Sequence, residues 1–274
     1  MSFANSLSSI GLLAAALLLL SAVEALIPLQ ARGEWGRRHL GPNIALTLIT
    51  LVTNLALNIP LLMGLAWLQA KGWGPLNVLQ IPPLAALAVS VLALDLAWYV
   101  THRSLHRFAW MWRFHAVHHS DPAVDVTTTI RQHPGEGLIR YAYLGAFAFG
   151  LGLPPAGFAL YRVWSALHGQ LEHANLKLPQ WLDSAITLLF SSPNMHKVHH
   201  SRDRRLTDRN YTNIFSVWDR LGGTFTPSAQ GQVIAYGMDD WSADQQSTLG
   251  LLRAPFGQAL NSRARPVGLA HASS

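Results

Sequence analysis

Two distant stretches of this sequence carry residues able to do metal chemistry. The first holds His102, His106, His115, His118 and His119, and the second holds His196, His199 and His200. Their spacings are H-x3-H, H-x2-H-H and H-x2-H-H again. Side chains three and four apart share a helix face, so each H-x2-H-H triplet falls within an arc of about 100° at 3.6 residues per turn. His102 and His106 stack one turn apart. Neutral imidazole is a nitrogen ligand that iron, copper, nickel and zinc all accept. The eight histidines are enough for two metals at four ligands each. A lone histidine on an apolar helix is usually a packed core residue, but this repeated pattern points to metal binding.

Further histidines extend the set. His168 and His173, spaced H-x4-H, follow an apolar stretch and are candidate ligands. His133 precedes a proline in Arg131-Gln132-His133-Pro134-Gly135-Glu136, which suggests a turn that positions a neighbour. His39 and His271 stand alone and are expected to face solvent.

The elements that must position these residues are membrane helices. The chain has 274 residues, of which 50% are hydrophobic and only 12% charged, with a mean hydropathy of +0.21. Such values depart from those of a soluble globule. The net charge of +6 suits nucleic acid or anionic lipid, and the apolar runs decide for lipid. With no cysteine in the chain, disulfides, cysteine-type zinc sites and cysteine-ligated iron–sulfur clusters are excluded.

Ile10–Leu29 reads as an uncleaved membrane helix, followed by Arg32, Arg37 and Arg38 and by Gly41-Pro42 as a break. Ile44–Leu68 and Pro82–Val100 are the second and third spans, the third containing Asp95 and running straight into His102. Leu138–Leu153 and Ala156–Leu167, parted by Pro154-Pro155, read as a helical hairpin that enters the membrane and returns. Ala185–Phe190 is too short to span. The segment from about Gly231 is weakly patterned, and Asn261–Ser274 looks disordered. The expected fold is therefore all-α, an integral membrane helical bundle of about four spans or hairpin equivalents beneath a histidine-rich helical cap. The expected divisions are 1–94 for the N-terminal spans, 95–225 for the histidine-box unit and 226–274 for the tail. By the positive-inside rule Arg32, Arg37 and Arg38 are cytoplasmic. Lys71 then lies outside, and Arg103, Arg107, Arg113, Arg131, Arg202, Arg204, Arg205 and Arg209 return inside with every histidine box.

These residues together carry a resemblance. The boxes at His102/His106, His115/His118/His119, Leu167–Asn175 and Asn194–His200 resemble the fatty acid hydroxylase superfamily, also called the sterol desaturase family. So do Arg131–Glu136, Asn210-Tyr211 and Ser216–Phe225, with a departure at Gly223, beside a position where the family often has an aromatic or other bulky residue before Gly-Thr. The resemblance covers about Asp95 to Phe225. It implies an integral membrane non-haem oxygenase with two iron ions and O2 as co-substrate. Its ligands would be His102, His106, His115, His118, His119, His168, His173, His196, His199 and His200. The implied reaction removes hydrogen from a C–H bond of a lipid, giving a hydroxyl group, a double bond, or ether cleavage after hydroxylation. With no reductase or haem segment in the sequence, electrons are expected from a separate ferredoxin, flavoprotein or cytochrome-type donor, for which Arg202, Arg204, Arg205 and Arg209 offer docking charge or a contact with anionic headgroups. The setting is an inner membrane, without nucleic acid. Trp98, Tyr99, Phe147 and Trp164 line a lipid slot or simply pack.

Two other classes remain to be weighed. A metal transporter or non-catalytic metal-binding protein wants ionisable residues along a path through the spans, where only Glu24 and Asp95 qualify. A zinc hydrolase wants an H-E-x-x-H helix, and the sequence has none.

Overall fold

The computed structural model describes residues 3–31, 38–229, 234–239, 241 and 246–257. Among them it is all-helical, with isolated bridges between Pro28 and Leu176 and between Phe190 and Phe215 as the extended pairings. Arg32, Trp35, Arg37, His271 and the Asn261–Ser274 tail lie outside the described residues.

Helix α1 (Phe3–Leu26) is followed by α2 (Leu40–Lys71), α3 (Pro75–Leu79) and α4 (Pro83–Arg107). Three apolar stretches, Ser8–Leu26, Leu40–Leu79 and Pro83–Arg107, are long and apolar enough to cross a membrane. Their outer faces carry bare aliphatic side chains, with Leu18 71% and Leu84 79% exposed. That pattern suits lipid and not water. The break expected at Gly41-Pro42 does not occur. Leu40 already opens α2, and Pro42 sits in its first turn, where the missing N–H has no intrahelical acceptor to lose.

A single extended residue, Phe108, separates α4 from α5 (Ala109–His119), so the last turns of α4 and all of α5 face one another. The hairpin is present as α6 (Pro134–Leu151) and α7 (Pro155–His173). Gly152 adopts the left-handed conformation that ends α6. Both arms pack on α4, with α2 against α6 and α1 against α7. Leu61, Leu65, Leu94, Leu144, Phe158 and Ile214 meet in the resulting core. Short helices α8 (Gln180–Ile186), α9 (Pro193–His199), α10 (Arg204–Thr207) and α11 (Val217–Leu221) complete the cap. Helix α12 (Thr248–Arg253) folds back on α2, burying Leu251.

The two acids inside the spans are both engaged. Glu24 accepts from the backbone N–H of Val126 (3.1 Å) and Asn175 (2.9 Å), tying α1 to the loops beyond two histidine boxes. Asp95 accepts from the N–H groups of Ile214 (3.1 Å) and Phe215 (2.9 Å) and from Trp218 Nε1 (2.9 Å). Neither is left over to line a conduction path. Asp95→Ala would strand three donors, each at a cost of about 1–3 kcal/mol. Thermal unfolding in detergent should therefore show a drop well beyond that of an exposed control such as Lys71→Ala.

Candidate metal centre

Each histidine box occupies the C-terminal end of a helix. His102 and His106 sit in the last turns of α4, His115, His118 and His119 end α5, and His173 is the last residue of α7. His196 and His199 belong to α9, and His200 caps it. Helix C-termini carry partial negative charge from unpaired carbonyls, which favours a cation among them.

The side chains assemble into two groups. His102, His106, His115, His119 and His199 form one, and His118, His173, His196 and His200 form the other. Within each group one ring nitrogen per residue lies within 4.8 Å of all the rest. The division is five and four, His173 joining the eight, and each triplet is shared between the groups. Residues i and i+4 diverge by about 40°, whereas i+3 turns about 60° the other way. His115 and His119 therefore face one group while His118 faces its neighbour. The late triplet does the same, with His196 and His200 in one group and His199 in the other. The groups abut, the rings of His119 and His200 being 4.7 Å apart.

The hydrogen bonds fix where the protons are. Nδ1 of His102 lies 2.8 Å from the Tyr211 carbonyl, that of His173 2.7 Å from Gly169 O, and that of His199 2.7 Å from Arg209 O. A carbonyl only accepts, so each Nδ1 carries the hydrogen and each Nε2 is a bare lone pair. His199 Nε2 is buried without a hydrogen-bond partner. Glu136 Oε1 lies 3.1 Å from His115 Nδ1, and Glu172 Oε2 stands 3.7 Å from His196 Nδ1, beyond hydrogen-bond range. The Nε2 atoms of the cluster nevertheless crowd together. His102 and His115 Nε2 are 3.0 Å apart, His173 and His196 3.0 Å, and His173 and His200 3.2 Å. Lone pairs at that range repel unless a proton or a cation stands between them, and several imidazole nitrogens converging on one point fit a metal at each group. Two nitrogens bound at about 2.1 Å are about 3.0 Å apart at a right angle and about 3.4 Å apart at the tetrahedral angle. The spacing matches near-right angles.

Burial keeps the ligands neutral. His118 is pushed down to about 3, first by desolvation and then by His115 beside it. His119, His196, His199 and His200 are also held well below the ordinary imidazole range, again first by burial and then by neighbouring histidines of the cluster. Unprotonated imidazole is the form that ligates.

Of the ten histidines expected as ligands, His168 stands apart. Its Nε2 lies 3.0 Å from the Ser191 carbonyl, just ahead of α9. An H-x4-H pair diverges by about 140° on a helix, so His168 and His173 cannot address one point. His133 caps α6, its Nδ1 accepting from Gly135 N–H (2.9 Å), in keeping with the positioning turn expected of it. His39 is not solvent-facing: it is buried between Asp121 (3.0 Å) and Asp125 (3.3 Å). Behind it the fully buried Arg131 donates to the Val117 carbonyl, Asn43 and Ser120, bracing the end of α5. Trp98, Phe147 and Trp164 pack against the bundle core, and Tyr99 is buried with its hydroxyl 3.0 Å from Thr224 Oγ1. Reading by histidine spacing missed Glu136, Glu172 and Asp208, the last 3.2 Å from His106 Nδ1. The only local signals were Glu136 within the Arg131–Glu136 stretch and Glu172 directly before His173.

Residues 87–224 match the family model described as fatty acid hydroxylase. The chain is 29% identical over 61% of its length to an alkylglycerol monooxygenase of Danio rerio, of which it covers 36%. It is 30% identical over 53% of its length to an alkylglycerol monooxygenase of Caenorhabditis elegans, covering 28% of that protein. To the ornithine lipid hydroxylase OlsE of Rhizobium tropici it is 31% identical over 53% of its length, covering 43%. The chain thus spans well under half the length of each of these relatives. No solved structure matches it.

Two outcomes follow from the geometry. Glu136→Gln should weaken metal retention by about 10–100-fold, read by metal content after dialysis against a chelator. Burial opposes charge on His39, but Asp121 and Asp125 outweigh it and hold the imidazolium up to about 9. A raised folded value gives stability that is full below the unfolded value of about 6.5 and lost as pH rises through the folded one. The thermal midpoint should therefore fall between pH 7.5 and 9.5, and His39→Gln should flatten that fall.

Proposed function

We propose, since this chain belongs to the fatty acid hydroxylase family, that it is a membrane-bound non-haem diiron oxygenase acting on a C–H bond of a lipid. The carrying observation is the pair of abutting, buried histidine groups with bare nitrogens turned inward. The group of five and the group of four would each hold one iron. Near-right-angle ligand spacing favours such a metal over tetrahedral zinc. Two irons would supply the activation of O2 that hydroxylation or desaturation of an unactivated carbon requires.

The protein's own part is to hold, orient and dry this site. Carbonyls of Tyr211, Gly169 and Arg209 fix three imidazoles in the ligating tautomer, and Glu136 and Glu172 face two more. Burial excludes water from the cluster. The bare outer faces of α1, α2 and α4 suit a lipid that reaches the cluster from within the bilayer. Relatives named for alkylglycerol and for ornithine lipid support a lipid substrate, oxidised by hydroxylation, desaturation or ether cleavage after hydroxylation. The unit responsible is taken as 95–225, carried by the spans in 1–94 with 226–274 as the tail. His168 is assigned to loop positioning. We place the cluster at the cytoplasmic face of an inner membrane on the distribution of basic residues, with electrons from a separate ferredoxin, flavoprotein or cytochrome-type partner. A transporter or passive metal-binding protein is disfavoured, because Glu24 and Asp95 hold backbone N–H groups.

Anaerobic reconstitution of the purified chain should give close to two irons by elemental analysis. His118→Ala, His199→Ala and His200→Ala should stay in the membrane yet abolish the gain of oxygen or loss of hydrogen in the lipids of expressing cells. One iron or none, or unchanged lipid oxidation in any of the three variants, would contradict the assignment.

A further inference from the structure

A polar layer lies between the helices at the mid-height of the bundle. The α6–α7 tip reaches the far end of α2, where Asn77 Nδ2 donates to the Gly152 carbonyl at 3.1 Å. There the backbones of Gly74 and Gly152 are in contact, so close that a Cβ on Gly74 would stand 2.6 Å from Gly152 Cα. At the other end of the hairpin, Thr50 of α2 donates to the Gln132 carbonyl. Helix α6 therefore runs alongside the apolar Leu40–Leu79 stretch. Between those limits the Tyr141 hydroxyl donates to Asn58 Oδ1 at 2.8 Å.

Two arginines occupy this layer. The Arg140 guanidinium lies 3.8 Å over the Trp98 ring and 3.4 Å from Glu136 Oε1. Arg162 lies 5.1 Å from the ring centre of Tyr141, the residue that follows Arg140. Among the described residues Arg162 has no ion pair, and its buried Nε has no hydrogen-bond partner. Among the described residues Glu136 is the one carboxylate paired with either arginine, and it also faces His115. A cation inside a membrane bundle is costly unless something anionic meets it. This layer has two guanidiniums to one shared carboxylate.

We propose that Arg140 and Arg162 seat the anionic group, a phosphate or carboxylate, of the lipid that the histidine cluster oxidises. The proposal rests on the reading of that cluster as a lipid oxygenase. The planar guanidinium fork matches both groups, and a low-dielectric setting strengthens the contact. Arg140 reaches the five-histidine group through single contacts, by Glu136 to His115 and by Trp98, whose ring centre lies 6.3 Å from that of His102. A lipid held there presents carbons near its anionic end, and not its methyl terminus, to the metals.

The test is calorimetric binding to the purified full chain in a neutral maltoside, with dodecyl phosphate, dodecanol and inorganic phosphate as probes. Dodecyl phosphate should bind at least about tenfold more tightly than either of the others, and Arg162→Gln should cut its preference over dodecanol to less than about twofold. Arg162→Lys should retain part of that preference, and Lys71→Gln all of it. Equal binding of ester and alcohol by the wild type overturns the proposal, as does an unchanged preference in Arg162→Gln. Inorganic phosphate as tight as the ester overturns it too, since the site would then take free anion. If Arg162→Gln does not fold, the wild-type comparison and Arg162→Lys still decide. Iron content measured on the same samples separates the two readings: preference without iron sinks only the oxygenase assignment, and iron without preference sinks only the anion seat.

Discussion

Lone pairs forced together in a dry interior are the constraint on which the rest of this structure depends. Imidazoles in water relieve such crowding by taking up protons. Here burial removes that option for His118, His119, His196, His199 and His200, which stay neutral well below the usual imidazole range. The remaining remedy is a cation at each group. The helix termini around the cluster add their own negative ends, so fold and ligands favour positive charge at the same place.

Keeping those nitrogens in register falls to residues that never touch the cluster centre. Asp219 accepts from Tyr211 N–H (2.8 Å), Thr212 N–H (3.0 Å) and the Thr224 hydroxyl (2.7 Å). It thereby fixes the segment whose Tyr211 carbonyl orients His102. Asp95 clamps the next residues of that segment to α4, the helix that carries His102 itself. Ligand and orienting carbonyl are thus tied to one helix by two buried carboxylates. Glu24 performs the same service for α1, joining it to the loops after His119 and His173. The acids of the spans are structural because backbone N–H groups inside a bundle must find an acceptor.

The same economy is missing at Arg140 and Arg162. Elsewhere buried charges meet matched polar partners, from Arg131 with its four acceptors to His39 between two aspartates. The layer above the cluster departs from that rule, and departures of this kind inside membranes mark sites of binding more often than of packing.

Much of this was legible in the chain itself. Long apolar runs announce spans because a bilayer core demands about twenty residues of helix, and Pro154-Pro155 announces the hairpin turn. Histidines at intervals of three and four announce metal because helical periodicity gathers them on one side. Tertiary structure alone decided how they divide. Local spacing turns His118 away from His115 and His119 on one helix, but it becomes a member of a second group because α7 and α9 supply His173, His196 and His200 opposite it. Tertiary structure likewise buried His39 between Asp121 and Asp125 and recruited Glu136 to His115. Each of these turns on contacts between segments far apart in sequence, such as the 119 residues between Asp95 and Ile214, and no local period encodes those.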